Sequence, residues 1–139
     1  MKKIIFFLIT VCLGTSIASA QSKADAVCGF YYAQDPFSKE GSQVKIYRNS
    51  QGMYEGIIVW VENPAKKKYI NYKFLRDFVY DSDDNEWADG KIYHPGNGKT
   101  YKSYLKLEGN KLKVRGYIGF SLLGMSMYWT KETKQRVQK

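Results

Sequence analysis

Cysteine, histidine and proline are scarce in this chain of 139 residues: two cysteines, one histidine and three prolines. The single histidine, His94, rules out sites that need two imidazoles, and no spacing of ligating residues marks a three-ligand metal centre. After the N-terminus no run approaches the roughly 20 apolar residues that a membrane-spanning helix requires. A sustained helical period and a capping box are also missing beyond residue 20, so helix is expected to be scarce.

The first twenty residues read as an export signal: Lys2 and Lys3 form a basic start, Ile4–Leu13 an apolar run, and Ala18-Ser19-Ala20 a small-residue cleavage site. Cleavage after Ala20 leaves 119 residues at 21–139, the length of one domain with its own core. Val11 stands before Cys12 where a lipid-anchor signal needs a small residue. Loss of Cys12 leaves Cys28 without a partner in the chain, predicted free and chemically quiet beside Val27 and Phe30. A periplasmic or secreted location is expected.

Removing Lys2 and Lys3 takes the formal charge from +9 to +7. Much of that excess stands at alternating strand positions, which suits a solvated face or weak attraction to anionic envelope surfaces. Nucleic acid is not an expected partner of an exported protein.

What is abundant is two-residue alternation. Leu112, Val114, Gly116 and Ile118 alternate with Lys111, Lys113, Arg115 and Tyr117, and turn residues at Pro95–Gly98 and Gly109–Asn110 separate such runs. Strands are predicted at Gly29–Ala33, Gln43–Arg48, Met53–Val61, Glu86–His94, Lys99–Glu108, Lys111–Gly119 and Met125–Lys131. Lys67–Tyr80 fits no clean period and reads as two short strands or one long bent one. Short connections throughout favour an all-β fold, an antiparallel up-and-down β-barrel of about eight strands. The polar tail Glu132–Lys139 is expected to fray.

Motifs that could carry chemistry read better as turns. Gly98-Lys99-Thr100 has the ending of a phosphate loop, but Tyr93 stands where the first glycine belongs and a strand follows instead of a helix. Asp81, Asp83 and Asn85 have the spacing that opens a calcium loop, yet Glu86 replaces the bend glycine and Ile92 the bidentate carboxylate. Cys28 and His94 are not brought together locally, and Glu55, Glu62, Glu86, Asp89 and Glu108 do not converge. No catalytic residue, metal or cofactor is expected.

Trp87, Gly90-Lys91-Ile92-Tyr93, Pro95, Gly98-Lys99-Thr100-Tyr101, Leu112-Lys113-Val114-Arg115-Gly116-Tyr117, Gly119, Gly124 and Trp129 together carry a resemblance. The chain resembles the bacterial exported family catalogued as domain of unknown function 2147, over nearly all of the expected mature chain. That resemblance implies a lipocalin- or streptavidin-like barrel and no established activity. It also implies an aromatic near the first strand stacked with a basic residue near the last, here Tyr31 and Lys131. The chain departs from the family pattern at Tyr31, where Trp is usual, at His94, where Asp is usual, and at Met125, where a basic residue is usual.

Two functions follow. A small barrel rich in aromatics can hold a small apolar or amphipathic molecule in its mouth, with Trp60, Trp87, Tyr93, Tyr101 and Arg115 as candidate contacts. Met125, Met127 and Trp129 share one alternating face and join that set if the face points inward, favouring an uncharged ligand over an anion. Alternatively the barrel is filled by its own side chains and its basic and Tyr residues contact an envelope protein. An enzyme ranks third.

Overall fold

The computed structural model describes residues 21–36, 38–95, 98–116 and 126–139. Eight strands form a closed antiparallel barrel in sequential order: β1 (Gly29–Gln34), β2 (Gly41–Arg48), β3 (Tyr54–Val61), β4 (Lys73–Asp81), β5 (Glu86–Tyr93), β6 (Thr100–Glu108), β7 (Lys111–Gly116) and β8 (Ser126–Glu132). The up-and-down barrel predicted from the turns is the fold observed. The predicted signal, Cys12, Gly119, Gly124, Met125 and the end of the Lys111–Gly119 strand lie outside the described residues.

Turn chemistry sets the hairpins at one end. The Asn49 side-chain oxygen accepts the amides of Gln51 and Met53, and Gly52 takes a left-handed φ of 80°. Gly109, at φ 62°, closes the β6–β7 turn, and Asn85, at φ 50°, sits in the β4–β5 turn. At the opposite end the connections are longer. One holds a 3₁₀ turn at Pro64–Tyr69, started by Asn63, whose side chain accepts the Ala65 amide.

The ambiguous segment Lys67–Tyr80 resolves into the end of that turn followed by β4. Its missing period has a cause: Asp77 takes a left-handed φ of 64°, and the β3–β4 register shifts twice between Tyr54 and Ile57. Phe74, Leu75, Phe78 and Tyr80 all reach the core cluster despite their uneven spacing.

Buried residues form one core inside the barrel, from Tyr31, Val44 and Ile46 through Leu75, Phe78 and Trp87 to Leu105, Leu112, Val114 and Trp129. Glycines make room for its bulk. A Cβ on Gly90 would stand 2.2 Å from the Phe78 ring, and one on Gly56 2.8 Å from Leu75.

The tail corrects the expectation of fraying. Gln43, fully buried although it pairs with the outward Tyr32 and Trp60, donates to the Glu132 carboxylate and the Lys134 carbonyl and accepts the Arg136 amide. Gln138 donates to the Val61 carbonyl and accepts its amide. The Arg136 guanidinium lies 4.8 Å from the ring centroids of both Tyr32 and Trp60. These bonds satisfy the Val61 backbone groups and the buried Gln43 side chain and fix the tail against the barrel wall.

Candidate functional site

One end of the barrel is plugged. A 3₁₀ turn at Asp25–Val27 lies beneath it with Val27 fully buried, and wall residues hold its backbone and side chains. Tyr31 donates its hydroxyl to the Val27 carbonyl at 2.8 Å, Trp87 its indole N–H to the Ala24 carbonyl at 2.9 Å, and Tyr54 its hydroxyl to Asp25 at 2.6 Å. Lys131 reaches the Ala26 carbonyl and stands 5.9 Å from the Tyr31 ring centroid, so the contact implied by the family resemblance is present.

Electrostatics at this end favour closure. The hydrogen bond from Tyr54 holds the Asp25 carboxyl below its usual range against partial burial, with Gln21 and Arg48 adding to it. Burial, and then the Asp25 charge, raise the Cys28 thiol above its usual value. Burial also raises the Tyr31 and Tyr54 hydroxyls well above the usual phenol value. The two phenols are the protonated donors at neutral pH that hold the plug, Tyr31 to the Val27 carbonyl and Tyr54 to the Asp25 carboxylate.

Seven of the eight candidate contacts are among the described residues, and they divide between the two faces. Trp87 points inward but belongs to the plugged end, 1% exposed, with its ring 5.1 Å from Tyr80. Trp129 and Met127 pair with Leu112 and Val114 on the inner face, and Tyr101 pairs with the buried Ile92. Trp60, Tyr93 and Arg115 do not line the interior. An extra residue in β3 opposite Gln43/Val44 turns Trp60 outward, Tyr93 lies under the Arg76 guanidinium at 4.2 Å, and Arg115 pairs with the outward Tyr104. Met125 is outside the described residues.

Phe74, from the opposite wall, was not anticipated. Its ring meets Trp129 at 6.0 Å across the interior, β4 and β8 being separated by three strands either way around the barrel. The uneven spacing of β4 concealed it. Toward the unplugged end stand Ala33, Ile92, Tyr101, Ser103, Gly116 and Met127. Between the two rims, the described inward residues carry no charge.

The acidic turn has become a hairpin fastening. Asp81, Asp84 and Glu86 place carboxylate oxygens within 4.8 Å of one another, a different set from the calcium-loop spacing. Asp81 accepts the Asp83 amide at 3.0 Å, and Asn85 accepts the Tyr80 hydroxyl. An open groove bordered by residues 131–137 lies outside the barrel.

Comparison with solved structures finds protein HP1028 from the human pathogen Helicobacter pylori, described as belonging to the lipocalin family. It is similar with a TM-score of 0.60 and 20% identity, over 78% of this chain and 84% of that one, a likeness of fold. No curated protein matches the sequence. Residues 29–131, from the first glycine of β1 to the lysine that meets Tyr31, match the family described as uncharacterized protein conserved in bacteria. The chain therefore belongs to that bacterial family, DUF2147.

Proposed function

We propose that the barrel binds a small, uncharged apolar or amphipathic molecule at its unplugged end, above the Phe74–Trp129 contact. The observation that carries this reading is the chemistry of the inner wall: Ile92 stands opposite Tyr101, Ser103 opposite Gly116 and Val114 opposite Met127, and the described wall between the rims has no charge. An anion would lose its hydration there without gaining a counter-charge. Met127 supplies an adaptable apolar contact, and the Tyr101 ring adds aromatic surface for an amphipathic molecule. The basic start, apolar run and Ala18-Ser19-Ala20 site of the sequence support action after export, in the periplasm or outside the cell.

Titration with phenylnaphthylamine, an uncharged apolar fluorophore, and with long-chain alcohols tests the reading through tryptophan emission. Saturable binding is expected, and Trp129→Phe should alter the response more than Trp87→Phe, because Trp87 is sealed under Ala24. Saturable binding of small anions alone would reject the preference for uncharged ligands. The contiguous buried cluster from Tyr31 to Trp129 favours a second reading, a filled barrel that contacts an envelope protein through its outer surface. Failure of every small molecule to bind would favour it.

A further inference from the structure

The outer wall of β6 and β7 concentrates positive charge that the barrel does not use. Alternation in these strands sends Lys102, Tyr104 and Lys106 outward from β6, and Lys113 and Arg115 outward from β7. Register then sets like against like: Lys106 is opposite Lys113, and Lys102 is opposite Lys91 of β5. Directly opposed like charges weaken a sheet. Among the described residues no carboxylate stands within ion-pair distance of Lys102, Lys106, Lys113 or Arg115.

Among the described residues the aromatics on this wall are tyrosines. Tyr104 pairs with Arg115, and Tyr128, 52% exposed, pairs with Lys113. Tyrosine presents an apolar ring and a polar tip, the chemistry of a membrane–water boundary. The wall is the outside of a closed barrel and therefore convex. A convex wall differs from the groove that tracks a single nucleic-acid strand.

We propose that this face docks on an anionic lipid bilayer, with Lys102, Lys106, Lys113 and Arg115 over the headgroups and Tyr104 and Tyr128 at the boundary. The opposed lysines are then neutralised from outside, which converts an unfavourable feature of the free protein into a binding term. The assignment goes beyond the interior ligand and does not depend on it, since the inner and outer residues of each strand are different sets.

Sedimentation with vesicles tests it. Protein should bind phosphatidylcholine vesicles containing phosphatidylglycerol, not phosphatidylcholine alone, and salt should release it. The combined variant Lys102→Gln, Lys106→Gln, Lys113→Gln, Arg115→Gln should lose about fivefold per charge removed, on the order of several hundredfold together. A variant with the same net charge, Lys23→Gln, Lys45→Gln, Lys67→Gln, Lys139→Gln, should lose far less. Retained barrel circular dichroism in both variants shows that folding is not the cause. Equal losses in the two variants would reduce the effect to net charge and overturn the proposal. So would absence of binding to anionic vesicles, or binding to single-stranded RNA alone through the same four residues.

Discussion

The Tyr54 hydroxyl donates to the Asp25 carboxylate across 2.6 Å, joining the start of β3 to the turn that plugs the barrel. Asp25 is about one-third exposed at its side chain, so water screens the pair and the bond lies near the lower end of charge-assisted ones. Tyr54→Phe should cost about 1–2 kcal/mol in urea unfolding. Because the folded carboxyl titrates below its usual value, its contribution is complete above the unfolded carboxylate pKa and is lost as pH falls through the lower folded one. The stability difference between the native protein and Asp25→Asn should therefore narrow on acidification below about pH 4.

Phe78 occupies the volume that a side chain at position 90 would need. Gly90→Ala should destabilise by about 1–3 kcal/mol through overpacking. In a Phe78→Leu background the same change should cost clearly less, and a double-mutant cycle measures that coupling. Additive losses would show that the ring does not set the requirement.

Removal of residues 133–139 takes away the Arg136 contacts and the Gln138 clamp on Val61. Stability should fall by on the order of 2 kcal/mol. Trp87 and Trp129 are 1% and 5% exposed, so the accompanying red shift and greater acrylamide quenching would report Trp60. Arg136→Ala should reproduce part of both changes.

Cys28 is half-buried and its thiol is raised chiefly by that burial. Disulfide-exchange reagents should label it slowly at neutral pH and faster in urea, with the native rate still rising above the pH at which an ordinary thiol has ionised. Rapid labelling of the folded protein at neutral pH would contradict this.

Lys106 and Lys113 face each other on adjacent strands. Lys113→Glu should raise stability by about 0.2–1 kcal/mol by replacing repulsion with attraction. Addition of salt should also stabilise the native protein slightly through this pair, and that salt effect should diminish in the variant.

Residues that obey a period were readable in advance. Leu112 and Val114 alternate without interruption and face inward, and the Gly109 turn fixes their register to Leu105 and Leu107. Trp60 was not assignable because one extra residue in β3 reverses which face it takes, and a bulge has no signature in the polarity of its neighbours. Phe74 was obscured by the same irregularity in β4. The tail was misread for a different reason: its polar side chains satisfy backbone groups and a buried glutamine far away in sequence, and pairing over that range leaves no local pattern. Met127 and Trp129 were readable as a shared face, but their direction required the pairing with Val114 and Leu112.

The pairing of Tyr31 with Lys131 joins strands about a hundred positions apart in the chain. Synthesis proceeds from the N-terminal end, so β1 must wait for nearly the whole domain before its second edge finds a partner. Until β8 arrives, the nascent sheet presents an open edge available to another chain. The rate of barrel assembly should consequently depend on when this final seam forms, and aggregation should compete with it at that stage rather than during hairpin formation.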